Sequence, residues 1–231
     1  MRNYQVITDK DKLIEFINWL PTLGESEQYY CALLARSKYT KDIEGKNGIP
    51  HVSSDKVQLK RFTSTKERLL SKIQQLECPL DSYLQKTIIV PQEALALYIS
   101  INPRDLWKAT QSSLLHFAKM CTTNAYTANP QAEAMSEIQR SVGKKYYTIA
   151  DLDSKDRVKL GEVLNHVNVD ACKVLETRGG YHIIIDPKKV HHSFQHTWYK
   201  NIESHPDIDQ IGDMMIPVPG TYQGGWTPKF I

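Results

Sequence analysis

Apolar residues recur at helical spacing at Leu13, Phe16, Ile17 and Leu20, the repeat of a helix with one buried face. Thr8 stands where it caps a helix over residues 9–20. Leu69, Leu70, Ile73 and Leu76 repeat in the same way and predict a helix over residues 61–77, capped by Ser64 or Thr65. Further helices are expected over residues 104–120, over 130–142, over 155–167 behind a Ser154 or Asp153 cap, and within 190–205. The run "YYCALLAR" (residues 29–36) fits either a strand or a buried helix, because short apolar runs carry no decisive period. Strands are predicted at "EALALYISI" (93–101), ending at Asn102-Pro103, at 146–153, and in "DMMIPVPG" (213–220). "CKVLETRGGYHIIID" (172–186) reads as a hairpin, since Gly179-Gly180 between two β-rich runs is a turn signal, glycine tolerating the positive φ of tight turns. Residues 37–56, with Asn47-Gly48 as the turn, read as a polar loop, and the polar stretch 122–145 as a linker or mobile loop. Strands alternating with helices, plus one hairpin, predict an α/β (α+β) domain with a mixed, partly antiparallel sheet flanked by helices.

Composition changes this picture little. The chain has 231 residues, 41% hydrophobic and 24% charged, an ordinary globular balance, and a formal charge of +3 permits phosphate contact without demanding it. No run approaches the roughly 18–20 apolar residues of a membrane span, and the first residues lack the apolar stretch of a signal peptide. The four cysteines are scattered with no C-x-x-C pair, which disfavours structural zinc and predicts buried free thiols in a reducing, cytoplasmic setting. His192 and His196 stand at i, i+4, but no third ligand is near them in sequence, so they read as solvated.

Candidate chemistry gathers at three strand tips. In "YYTIADLDSK", Tyr147, Ile149, Asp151 and Asp153 share one strand face, with successive side chains about 6.5–7 Å apart. Two carboxylates on one face suit a hard divalent cation; alternatively Asp153 caps the next helix and Asp151 is solvated. In "LETRGGYHIII", Thr177, Arg178, Gly179, Gly180 and His182 crowd a hydroxyl, a guanidinium, flexible amides and an imidazole at one turn. That donor set suits phosphate oxygens, although an ordinary hairpin with a packed histidine has the same sequence. In "IGDMMIPVPGTYQGG", Asp213 leads a short apolar strand into Pro219-Gly220, a turn that lets backbone approach a ligand closely but that also occurs in ordinary loops.

Taken in order, these tips resemble the archaeo-eukaryotic primase, or primase-polymerase, superfamily. Its first motif, D-x-D at a strand end, is matched by Asp151 and Asp153. Its second, a small residue, any residue and histidine after a glycine turn, is matched by Gly180, Tyr181 and His182. Its third, an aspartate leading into an L-P-G-[ST] turn, is matched by Asp213 and "VPGT". "LYISINPRDL" is similar to a strand ending in N-P-R found in phage and plasmid relatives. The spacings are 29 residues from Asp153 to His182 and 31 from there to Asp213. The resemblance covers about residues 93–225 and implies one primase-polymerase-like domain, with 1–92 an N-terminal α/β portion and 93–231 carrying the motifs. It departs from the family at Gly180, where a serine is usual, and at Met214 to Pro217, where an arginine is usual.

The resemblance implies a small DNA-dependent primase or polymerase that transfers nucleotides from nucleoside triphosphates onto a single-stranded or primed DNA template. Asp151, Asp153 and Asp213 would hold Mg2+ or Mn2+, and His182 would meet a phosphate with Thr177, Arg178, Gly179 and Gly180 assisting. Arg104, Lys188 and Lys189 are candidates for nucleic-acid phosphates, or equally solvated charges, and any helicase would sit on a separate chain. The rival readings are a non-catalytic nucleotide- or nucleic-acid-binding relative in a replication complex, and a two-metal nuclease.

Overall fold

A computed structural model describes residues 2–40, 56–123, 125 and 129–231. The turn expected at Asn47-Gly48 lies outside the described residues. Six α-helices are present among them: α1 (Lys10–Trp19), α2 (Lys66–Gln74), α3 (Leu106–Thr122), α4 (Pro130–Arg140), α5 (Arg157–Leu164) and α6 (Trp198–Glu203). The strands are β1 (Glu27–Ala35), β2 (Val57–Ser64), β3 (Leu84–Gln85), β4 (Ile88–Ile89), β5 (Leu95–Ser100), β6 (Arg104–Asp105), β7 (Thr148–Leu152), β8 (Cys172–Glu176), β9 (Tyr181–Ile185), β10 (Ile208–Gly212), β11 (Met215–Pro217) and β12 (Lys229–Phe230).

Two five-stranded sheets result. The first runs β11-β5-β1-β2 with β6 beside β1, and the second runs β10-β7-β9-β8-β12. The strand pairs are all antiparallel, so the α+β reading holds while the expected mixture of directions does not.

Strand alternation explains the layers. Tyr29, Cys31, Leu33 and Ala35 of β1, with Leu95, Leu97 and Ile99 of β5, point into a core shared with Ile149, Leu175 and Ile184 of the second sheet. Phe16 of α1 and Ile73 of α2 enter the same core, which therefore joins the first 92 residues to the rest. The opposite face of the second sheet carries Ala150, Leu152, Ile183 and Ile185 against Val163 of α5 and Ile202 of α6. The opposite face of the first sheet carries Tyr30, Ala32 and Leu34 against Met135 and Ile138 of α4. Each large aliphatic or phenyl side chain buried this way contributes about 1.5–3 kcal/mol of transfer free energy.

Caps and turns refine the predicted boundaries. Asp9, rather than Thr8, caps α1 by accepting from Lys12 N, and Asp156, rather than Ser154 or Asp153, caps α5 by accepting from Val158 N. The prolyl-glycyl turn does not face a ligand. Gly220, at φ +77°, accepts from Thr8 N and Asp9 N at 3.0 Å and seats the start of α1. All four cysteines are free thiols; Cys31 is buried as expected, whereas Cys121 is exposed on α3.

A Cβ at Gly220 would meet the Asp9 carbonyl oxygen and lie 2.6 Å from Leu13 N, in a backbone conformation that side chains resist. Gly220→Ala is therefore expected to destabilise the fold by about 2 kcal/mol or more, read as a lower urea midpoint at unchanged m-value.

Candidate active site

A cleft of about 840 Å³ opens between the two sheets. Asp151, Asp153, Thr177, Gly179, Gly180, His182 and Asp213 all line it, so the three strand tips do meet on one concavity. Lys188 and Lys189 do not line it: they are exposed beyond the far end of β9 from His182.

The arrangement begins with register. Antiparallel pairing sets Asp151 of β7 directly opposite His182 of β9, and directly opposed residues point the same way. His182 Nε2 donates to Asp151 Oδ1 at 3.2 Å, while His182 Nδ1 is buried with no hydrogen-bond partner among the described residues. Only 7% of His182 is exposed. Burial pushes the Asp151 carboxyl up, but the His182 hydrogen bond and charge, with Lys38 and Lys56, outweigh it and leave the group below its ordinary value. Asp153 follows the end of β7 and is exposed, and its carboxylate has no hydrogen bond or ion pair among the described residues.

The glycine turn is built for closeness rather than for left-handed backbone. Neither Gly179 nor Gly180 has positive φ, contrary to the sequence expectation. A Cβ at Gly180 would strike the Leu152 carbonyl oxygen and sit 2.8 Å from Ser154 N, so this position has to be glycine for the hairpin to lie against the end of β7. Thr177 Oγ1 accepts from Gly180 N and donates to Gly180 O, both at 3.1 Å. Its hydroxyl and that amide thus close the turn instead of facing phosphate. Arg178 stacks 4.5 Å over the Tyr39 ring, and Gln223 ties the turn in place, accepting from Arg178 N at 2.9 Å and donating to Tyr39 Oη at 3.0 Å.

Asp213 is held differently from Asp151. Its Oδ1 accepts from Asn102 Nδ2 at 2.7 Å and its Oδ2 from Arg104 Nη1 at 2.6 Å. Arg104 is 2% exposed and also donates to Ser100 Oγ, so it braces the cleft wall rather than presenting its guanidinium to a nucleic-acid backbone. The N-P-R sequence therefore works inward. Asn102 uses its whole carboxamide: Oδ1 accepts from Tyr146 N and Tyr147 N at 2.8 and 2.9 Å, and Nδ2 also donates to Tyr147 O at 2.9 Å.

Sequence reasoning missed Asp209. It is the extra residue where β10 slips register between Ile208, opposite Leu152, and Gln210, opposite Asp151. Bulges re-aim side chains, and this one places an exposed carboxylate on the cleft lining beside Asp151. Its only signal in the sequence is a carboxylate two residues after Asp207, between Ile208 and Gln210. Also missed were the cations across the cleft, Arg36, Lys38 and Lys56.

The donor set suits a hard cation in its chemistry: ionised Asp151, unengaged Asp153 and exposed Asp209 offer oxygen ligands. Among the described residues, no three His, Cys, Asp or Glu side chains are drawn close enough to hold an ion as they stand. Asp151 has to turn from His182 to share one.

Asn102→Ala strips two strand amides and Asp213 of their partner and is expected to destabilise by about 3 kcal/mol, measured by chemical denaturation. A His182→Ala change leaves burial less opposed, so the Asp151 carboxyl should titrate higher by carbon-detected NMR. Because the native value is depressed, the stability Asp151 contributes is present above about pH 4 and lost as pH falls through the depressed value. In His182→Ala that contribution should be smaller and its loss complete at a higher pH. No protein-family model, no curated protein and no solved structure matches this chain, so function is argued from the cleft itself.

Proposed function

We propose that the cleft performs nucleotidyl transfer of the primase-polymerase kind, adding nucleotides from nucleoside triphosphates to a strand paired with single-stranded DNA. The observation that carries the reading is the side-by-side pair of Asp151 and His182 in a cleft with acids along one wall and cations across it. Asp151, Asp153 and Asp209 are the carboxylates suited to Mg2+ or Mn2+, with Asp209 in the place expected of Asp213. A divalent ion held there supplies neutralisation of the leaving pyrophosphate and a lower pKa for the attacking 3′-hydroxyl.

The chain's own residues divide the remaining work. His182, freed from Asp151, donates Nε2–H to a phosphate oxygen. Arg36, Lys38 and Lys56 offset phosphate charge from the opposite wall. Gly180 keeps the hairpin tip low enough to admit the triphosphate, and Gln223 with Tyr39 holds that tip still. Asp213, through Arg104, fixes the wall and does not touch substrate.

A second reading, nucleotide binding without transfer, is favoured by the engagement of Asp213 with Arg104, which withholds one carboxylate from any ion. Primer extension with Mn2+ on a single-stranded template separates the two. The proposal expects incorporation that Asp151→Asn and Asp153→Asn each reduce to the no-protein background while both variants stay folded by circular dichroism. Asp209→Asn should abolish extension in the same way, whereas Asp213→Asn should mainly lower stability. Nucleotide binding with no incorporation under Mg2+ or Mn2+ selects the second reading, and degradation of the template selects a nuclease.

A further inference from the structure

We propose that single-stranded DNA reaches the cleft across the exposed edge of β2, seated in a basic groove beside that strand; this rests on the nucleotidyl-transfer reading above. The groove, about 460 Å³, is formed by β2, α2 and the segment that follows. Lys60, Arg61 and Lys72 line it beside the half-buried ring of Phe62; Leu76 and Tyr83 lie buried beneath, and no carboxylate is among its lining residues. Cations over aromatic surface are what a nucleic-acid strand requires, the first for phosphates and the second for bases.

β2 joins this groove to the cleft. Among the described residues it is the edge strand of the first sheet, with no further strand of that sheet outside it. Its register with β1 slips at Leu59, placing Gln58 opposite Leu34 and Lys60 opposite Leu33. The slip turns Gln58 toward the cleft and Lys60 toward the groove, since Leu34 faces α4 and Leu33 faces the central core. Arg61 spans the two: it lines the groove and donates to Ser136 Oγ and Ala132 O at 3.2 Å, and Ser136 lines the cleft. Lys56, where β2 begins, lines the cleft as well. From Lys56 to Lys60 is about 13 Å of strand, a short basic edge between the two concavities.

Lys60 is exposed and has no ion pair among the described residues, whereas Lys72 is partly held by the Thr63 carbonyl at 2.6 Å. Lys60 is therefore the residue to change. The probe is a fluorescein-labelled oligothymidylate, followed by anisotropy without nucleotide or divalent ion. Lys60→Glu should weaken binding by about tenfold and flatten the slope of log affinity against log salt by about one, while Lys60→Glu with Gln75→Glu weakens it further. Lys188→Glu with Lys189→Glu, on the far side of β9, should change affinity less than about twofold. Equal loss in that control pair, no loss in the groove variants, or no binding by the wild type each overturns the proposal. Groove-dependent binding without nucleotide incorporation would refute the enzymatic reading and leave the DNA path standing. Incorporation that is untouched by the groove variants would do the reverse.

Discussion

The buried knot of Asn102, Arg104 and Asp213 is the constraint on which the rest depends. Asn102 is fully buried at the end of β5, and its four hydrogen bonds reach the two residues before β7 and the aspartate between β10 and β11. Arg104 adds an ion pair to the same aspartate. These bonds join the first sheet to the second at the base of the cleft. Removing one partner of such a pair leaves an uncompensated charge, at a cost of about 3–5 kcal/mol. Their value here is registration: β7 enters its sheet at a fixed height, so Asp151 arrives opposite His182 and not one residue away, where its face would be reversed.

From that registration follows the electrostatic character of the cleft. Acids sit on the second sheet, at β7 and in the bulge of β10, and cations sit on the first, at β1, at its following turn and at the start of β2. A neutral ligand gains little from such a division. A polyphosphate accompanied by divalent ions matches both walls at once, because its oxygens meet the cations and the ions meet the carboxylates. Among the described residues, the Nδ1 of His182 and the carboxylate of Asp153 have no hydrogen-bond partner.

Much of the frame was legible from periodicity, and the failures have physical causes. The core helices, β5, β7 and the β8–β9 hairpin announced themselves because each buries a regular face. β2 is not predicted, and its last four residues fall in the helix expected over 61–77, because a strand bearing Lys60 and Arg61 lacks a continuous apolar face. β10 was missed because its slip at Asp209 breaks the two-residue alternation that marks a strand. That same slip hid the Asp209 carboxylate on the cleft lining and gave Asp213 a prominence its buried arginine does not support. Arg104 was taken for a surface charge, since sequence carries no sign of the acid it would meet 109 residues later. Gly180 was recognised as necessary for the wrong reason: proximity to Leu152, not backbone handedness, demands it.

The central claim is that the tip of β7 and its neighbours hold divalent ions against a nucleoside triphosphate. Anomalous diffraction from crystals containing Mn2+ and a non-hydrolysable nucleotide tests it most directly. The account predicts manganese about 2.2 Å from carboxylate oxygens of Asp151, Asp153 and Asp209, with phosphate oxygens beside His182. Manganese or nucleotide bound on another face, or a cleft that stays without either at saturating concentrations, would contradict it.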